Sequence, residues 1–228
     1  MRSSRIFCAS AAVCVGIDLA GVEARESGVA VLRGGRLVDL RPAHTDAEVL
    51  AAARLAGLAG TVAINAPLTR PAGRCCLDDA CPCRQSPGTR SRQVERDLGR
   101  LGVPTLATAL IKVLARRGRR IGLALRVGGV WPLEVYPFAT LKLLGLPCRG
   151  KRTAEGRRAI HDTLAARVPG LSHPDASDHQ LDAVACALTA DLWRRGLARE
   201  VGDPAEGVIV VPTSGSAGGR CRSRRIST

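Results

Sequence analysis

Two apolar runs in this chain each end or begin on a carboxylate, and few folds can accept that arrangement. Ala-Ala-Val-Cys-Val-Gly-Ile (11–17) stops at Asp18, and Asp182 opens Ala-Val-Ala-Cys-Ala-Leu-Thr-Ala (183–190). The first run has the length of a buried strand, and the second belongs to a buried helix. A carboxylate at the edge of a core is costly unless something pairs with it. A divalent cation is one such partner, and it would make the site chemical. Glu134 follows another short apolar stretch and is the third acid that could join them.

The pattern around these runs predicts a mixed α/β fold. Residues 11–17 and Ser27–Leu32 read as strands, Gly34-Gly35 as a tight turn, and Arg36–Leu40 as a third, alternating strand. Asp46 is placed to cap a helix running to about Leu58, with Glu48 in its first turn and Gly60 ending it. Thr61–Ile64 is a short buried strand leading into Asn65-Ala66-Pro67-Leu68. A meander, a helix and a buried strand in that order make a mixed sheet with a helix on one face. Helices are expected over Ser91–Leu101, Ala107–Arg117, a short stretch to about Leu144, Thr153–Arg167 and His179–Leu197, the last capped by Ser177 or Asp178. Strands are expected over Val130–Val135 and Gly207–Val211. Residues 1–212 then form one domain, with 69–92 as a Cys-rich loop insertion lacking any period. Residues 213–228, rich in Ser, Gly and Arg, read as a disordered basic tail. Aromatics are only 2% against 46% hydrophobic residues, so the core must be built from Ala, Val and Leu.

The formal net charge is +14, from 34 basic and 20 acidic residues, which favours a polyanion and nucleic acid first. The basic residues cluster at Arg116, Arg117, Arg119 and Arg120, at Arg149, Lys151 and Arg152, at Arg157 and Arg158, and at Arg220, Arg222, Arg224 and Arg225. No stacking aromatics lie among them, so a solvated Arg-rich surface accounts for them equally well. No apolar run reaches the ~18 residues of a membrane span. The N-terminus imitates a secretion signal, but its apolar part continues into Gly16-Ile17-Asp18, so its removal would delete the first strand. A cytoplasmic location is expected.

Asp178 lies one helical turn before Asp182, and His179 three residues before it, so both share its face. Strand ends and a crossing helix N-terminus form the usual crevice of an open sheet. Carboxylates gathered there can hold two Mg²⁺ ions about 4 Å apart and cleave a phosphodiester. Bland readings stand beside this one: Asp18 as a turn residue, Asp178 as an N-cap, His179 in an exposed first turn, Glu134 paired with an arginine. Asp182 is hardest to explain away, because apolar residues follow it directly.

Five segments carry a family resemblance. They are Val15-Gly16-Ile17-Asp18-Leu19-Ala20, Val62-Ala63-Ile64-Asn65-Ala66-Pro67-Leu68, Leu133-Glu134-Val135-Tyr136-Pro137, Asp178-His179-Gln180-Leu181-Asp182-Ala183 and Gly202-Asp203-Pro204-Ala205-Glu206-Gly207. In this order the chain resembles domain-of-unknown-function family 429, described as predicted nucleases with a ribonuclease-H-like fold. The resemblance implies an α/β, ribonuclease-H-like mixed five-stranded sheet flanked by helices. It implies metal-ligand roles for Asp18 and Asp182, a ligand or general-base role for Glu134, and water or metal orientation by His179 or Asp178. Mg²⁺ or Mn²⁺ would be the cofactor and nucleic acid the partner. The chain departs from the family at Asn65, where the motif ordinarily has an acid; an amide offers one neutral oxygen and no charge, so Asn65 would be a weak metal ligand or a group that supports the ligands from behind.

Cys75, Cys76, Cys81 and Cys83 lie within nine residues. Four cysteines can build a tetrahedral Zn²⁺ site, although this spacing is not a pair of Cys-x-x-Cys knuckles. A redox-labile loop or a disulfide pair are the other readings. Cys14 and Cys186 read as small core residues. The leading expectation is a two-metal nuclease. Its rival is a catalytically weakened or inactive nucleic-acid-binding protein of the same fold, motivated by Asn65. A phosphotransferase is disfavoured, since the chain has no Gly-x-x-x-x-Gly-Lys loop and no recognisable second lobe.

Overall fold

The computed structural model describes residues 12–86 and 90–213. The signal-like start through residue 11, and the expected tail from 214 with its four arginines, lie outside the described residues.

Strands β1 (Val13–Asp18), β2 (Ser27–Arg33) and β3 (Arg36–Ala43) form the antiparallel meander. Helix α1 (Asp46–Arg54) crosses to β4 (Thr61–Asn65), which runs parallel to β1, and the two-residue β5 (Leu133–Glu134) runs parallel to β4. The result is a mixed five-stranded sheet in the order β3-β2-β1-β4-β5. Helices α2 (Gln93–Arg100), α3 (Lys112–Val127), α4 (Pro137–Leu143), α5 (Ala154–Ala165) and α6 (Asp178–Arg194) surround it. The chain closes with a hairpin of β6 (Ala198–Asp203) and β7 (Gly207–Pro212), joined to the main sheet by a parallel bridge between Val135 and Val210.

Period-two alternation assigns the sheet's two faces. Val15, Ile17, Val29, Val31, Val62 and Ile64 pack against α1 and α3 through Val49, Ala52, Ile121 and Leu125. Cys14, Ala30, Leu32 and Ala63 face α6 and meet Ala183, Cys186 and Ala187. Each fully buried Val, Leu or Ile contributes roughly 1.5–3 kcal/mol. Gly16 and Gly28 lie on the α6 face. A Cβ at Gly16 would come within 2.1 Å of the Ala183 carbonyl oxygen, and one at Gly28 within 2.1 Å of that of His179. Helix backbone therefore rests on strand backbone, which is why α6 is rich in alanine. Any side chain at either glycine would lift α6, and with it His179 and Asp182.

Four local expectations are corrected. Thr45, not Asp46, caps α1: its hydroxyl accepts from the Glu48 N–H at 3.2 Å, and Glu48 closes the capping box. Asp46 turns instead to Arg117 and Arg120. Helix α3 begins at Lys112 rather than Ala107, because Thr108 gives its N–H and hydroxyl to buried Glu95 and holds 107–111 in turns. The strand expected from Val130 is reduced to Leu133–Glu134. The Val130 N–H closes the end of α3 on Leu125 O, and Pro132 has no N–H for a ladder. β6 was not expected at all, because Ala-Arg-Glu-Val-Gly-Asp reads as polar and only its pairing with β7 makes it a strand.

Candidate functional site at the carboxyl end of β1

Asp18 follows Gly16 by two residues, so it shares the α6 face. Asn65 is its register partner on β4 and faces the same way. The first turn of α6 crosses this point. Asn65 Nδ2 donates to Asp18 Oδ1 at 2.5 Å, and His179 Nδ1 lies 2.6 Å from Asp18 Oδ2. Asp182 projects from the next turn and pairs with the Lys151 ammonium. Lys151 arrives on a loop bent at Gly150 (φ +83°), where its carbonyl accepts from Arg157 Nη1 at 3.0 Å.

The hydrogen bond to Asp18 raises His179 to about 9, against its burial, with the charges of Asp18, Asp178 and Asp182 adding to the rise. At neutral pH its ring is therefore protonated, and both ring nitrogens carry hydrogen. In an NMR titration His179 should show a midpoint near 9. The Asp18→Asn variant should return it towards ~6.5; an unmoved midpoint would separate the two residues. Burial pushes Asp182 up to about 7, and the neighbouring Asp18 charge adds to it, while Lys151 opposes both. The Tyr136 hydroxyl is pushed up by burial and then by the charge of Asp182, and it donates to Pro104 O at 3.1 Å.

Asp178 remains exposed at the rim. Ser177 is the cap of α6: its hydroxyl accepts from the Gln180 N–H at 3.2 Å, and its own N–H donates to Gln180 Oε1 at 2.9 Å.

Glu134 does not join this group. It pairs in register with Ile64, so its side chain leaves the sheet on the face opposite Asp18 and Asn65. There it is held by buried Arg92, whose Nη1 and Nη2 donate to Oε2 and Oε1 at 2.8 and 2.6 Å, and by the Leu68 N–H at 2.8 Å. Arg92 also donates to Thr69 Oγ1 at 2.8 Å and to Glu95 Oε1 at 3.1 Å. Burial works against the Arg92 charge, and Glu134 and Glu95 outweigh it. Glu134 is thus neither placed nor free to ligate a metal beside Asp18. With Asn65 and Tyr136 it lines a cavity of about 220 Å³ next to the strand end.

Asp18 and Asp182 are the two acids the fold brings together here, with Asn65 as a neutral neighbour. The charge of Asp18 raises the proton affinity of Asp182, and two such carboxylates form a donor set for one hard divalent cation. They lack the charge for a second ion. Sequence reasoning counted Lys151 only within a basic run and passed over Arg92 and Glu95. The one signal for the latter pair was an Arg-x-x-Glu opening of a helix.

The cysteine loop presents a second constellation. Among the described residues, Cys75, Cys76, Cys81 and Cys83 form a group whose Sγ atoms all lie within 4.8 Å of one another, so they could hold a metal ion. All four are free thiols. The loop is tied down by buried Leu77, by Arg74 donating to Cys76 O and Asp78 O, and by Arg116 donating to Leu77 O. A short 3-10 turn, Pro82–Gln85, ends it.

Residues 80–207 match the family described as protein of unknown function (DUF429). The chain belongs to DUF429. The matched span holds Glu134, Lys151, His179 and Asp182, and Asp18 and Asn65 precede it. No curated protein and no solved structure matches the chain. Among the described residues, no helix is long and apolar enough to cross a membrane.

Proposed function

We propose that this DUF429 chain hydrolyses phosphodiester bonds in nucleic acid at the Asp18–Asp182 cleft, using one divalent cation, Mg²⁺ or Mn²⁺. The observation that carries the reading is the meeting of a strand-end carboxylate and a helix carboxylate on one face of the sheet, at a cost that Lys151 only partly offsets. Asp18 and Asp182 would hold the ion. When bound, it would polarise a phosphoryl oxygen and lower the pKa of a bound water. Asn65 orients Asp18 by donating to one of its oxygens, and His179 fixes the other. With Nδ1 on Asp18, the protonated His179 ring still carries a hydrogen on Nε2 that it can donate. The net charge of +14 draws the polyanion in. The two-ion arrangement expected from sequence gives way to one ion, because Glu134 lies on the other face.

Nuclease activity with Mn²⁺ on single strands, branched DNA and RNA–DNA hybrids tests this. Asp18→Asn and Asp182→Asn should each lower the rate by about a hundredfold or more. Equal activity in the wild type and the double variant would sink the reading. Asn65 and the capture of Glu134 by Arg92 favour a second reading, a binding protein that has lost the chemistry. Salt-sensitive nucleic-acid binding with no Mn²⁺ binding by calorimetry would decide for it.

For the cysteine loop, zinc is the metal we propose. The Cys75–Cys81 and Cys76–Cys83 Sγ separations of 3.4 and 4.0 Å bracket the edge of a ZnS₄ tetrahedron, about 3.8 Å for Zn–S bonds of ~2.3 Å. Asp78 N–H already points at Cys76 Sγ at 3.4 Å, as a donor to a thiolate would. Elemental analysis should find one zinc per chain, lost in a Cys81→Ser, Cys83→Ser variant, whose residues 72–86 should then exchange amide hydrogens faster. A zinc-free wild type would overturn the assignment.

A further inference from the structure

The run Arg116–Arg120 looks like one basic patch in sequence, and the fold takes it apart. Arg117 is buried, with Nε on Asp46 Oδ1 at 2.8 Å, Nη1 on Ala20 O at 2.9 Å and Nη2 on His44 O at 2.6 Å. Arg120 shares Asp46, and Arg116 caps Leu77 O. These three are structural. Arg119 turns the other way, into a cavity of about 450 Å³ that Arg70 and Arg74 also line.

The charges in this cavity do not balance by pairing. Burial and then the nearby Arg70 charge both work against the Arg119 guanidinium. Among the described residues, neither Arg70 nor Arg119 has a carboxylate within ion-pair distance. Arg74 is only 7% exposed and spends Nε and Nη2 on two neutral carbonyls, Cys76 O at 2.9 Å and Asp78 O at 3.2 Å. Two acids reach the rim, and both face backbone amides. Glu206 accepts from the Ala72 and Gln93 N–H groups, and Asp203 accepts from the Ala205 N–H at 2.9 Å. Three guanidinium groups in one cavity without acid partners are costly unless an anion completes them. The planar fork of arginine suits a phosphate, which can take two parallel N–H donors from each.

Position links the cavity to the cleft. Its wall, Leu68 to Arg74, is the loop that continues from β4 and Asn65. Arg70 is five residues beyond Asn65, so at ~3.4 Å per residue its backbone lies no more than about 17 Å from that of Asn65, the strand neighbour of Asp18. We propose that Arg70, Arg74 and Arg119 form a seat for a backbone phosphate of the strand whose phosphodiester enters the Asp18–Asp182 cleft, a few nucleotides away. This rests on the nucleic-acid reading above.

The test uses the full chain and a fluorescently labelled single-stranded oligonucleotide, with anisotropy followed from low to high salt. Each phosphate contact with a single strand contributes about 0.7 to the slope of log K against log salt. An Arg70→Gln, Arg119→Gln variant should lose about 0.7 from that slope and bind about fivefold more weakly at 0.1 M salt. Exposed Arg33 and Arg54, near the opposite end of β1, serve as the charge control, and Arg33→Gln, Arg54→Gln should leave the slope unchanged. An unchanged slope in the Arg70/Arg119 variant, with intact thermal unfolding, overturns the seat. So does an equal loss in the control. Inorganic phosphate titrated by calorimetry is the second arm. If it binds the wild type and not the variant while the oligonucleotide slope stays put, the cavity takes free phosphate and the strand assignment is wrong. Loss of cleavage in Asp18→Asn with the slope retained keeps the two sites separate, so the seat can fail while the cleft stands. No oligonucleotide binding by the wild type would overturn both.

Discussion

Replacing Arg92 with alanine should lower the free energy of unfolding by about 3–5 kcal/mol. Arg92 is 1% exposed and makes a two-pronged pair with Glu134 across 42 residues of sequence. It also reaches Glu95 and Thr69. Removing it strands a buried carboxylate whose remaining partner is one backbone N–H, that of Leu68. The pair itself is no proof of net stability, since desolvating three charges offsets much of the attraction. The asymmetry is what can be tested. Arg92→Ala leaves an orphaned charge, whereas Arg92→Met with Glu134→Leu removes both and should recover most of the loss. Urea unfolding of the three proteins measures this. A loss below ~1 kcal/mol in Arg92→Ala would mean that water reaches Glu134 and screens it. Arg92 and Glu134 both line the cavity beside Asn65.

Asp182→Asn should make the protein more stable at pH 8, by about 2–4 kcal/mol. Asp182 titrates near 3.8 in the unfolded chain and near 7 in the fold, chiefly because it is buried. Between those values the folded state keeps a proton that the unfolded state releases, so stability falls as pH rises from about 4 to about 7 and stays low above that. The gain in the variant should therefore shrink as pH is lowered and vanish near pH 4. His179 acts in the same direction. Its folded value of about 9 exceeds the ordinary 6.5, so its contribution is complete below 6.5 and is lost as pH rises through 9. Unfolding at pH 4.5, 6 and 8 checks both. Equal stability of wild type and Asp182→Asn at pH 8 would mean that Lys151 fully neutralises the acid.

Much of this architecture is written in local pattern. The meander of β1, β2 and β3 is legible from two apolar runs and a Gly-Gly turn, because alternation and turn chemistry act between near neighbours. The place of Asp18 and Asn65 on one face follows from the same period of two. The burial of α6 is legible from its unbroken apolar run, and its closeness to β1 from the alanines that meet Gly16. Strand β6 was not legible, because nothing in Ala-Arg-Glu-Val-Gly-Asp alternates until β7 lies beside it. The start of α3 was missed because Glu95, thirteen residues away, takes the Thr108 groups that would otherwise open a helix.

By itself the sequence determined the apolar core of the main sheet and of α6, most of the elements, and that acids stand at the ends of two of them. Local sterics and hydrophobic period are enough for that. The tertiary structure alone decided which charges meet. Glu134 belongs to Arg92 rather than to the acids, Asp182 to Lys151, and Arg119 to a cavity with Arg70 rather than to its neighbours in the chain. An arginine or a carboxylate carries no mark of its partner in sequence. The choice among 34 basic residues is made by strand parity and by which loop arrives within reach, and both exist only once the chain has folded.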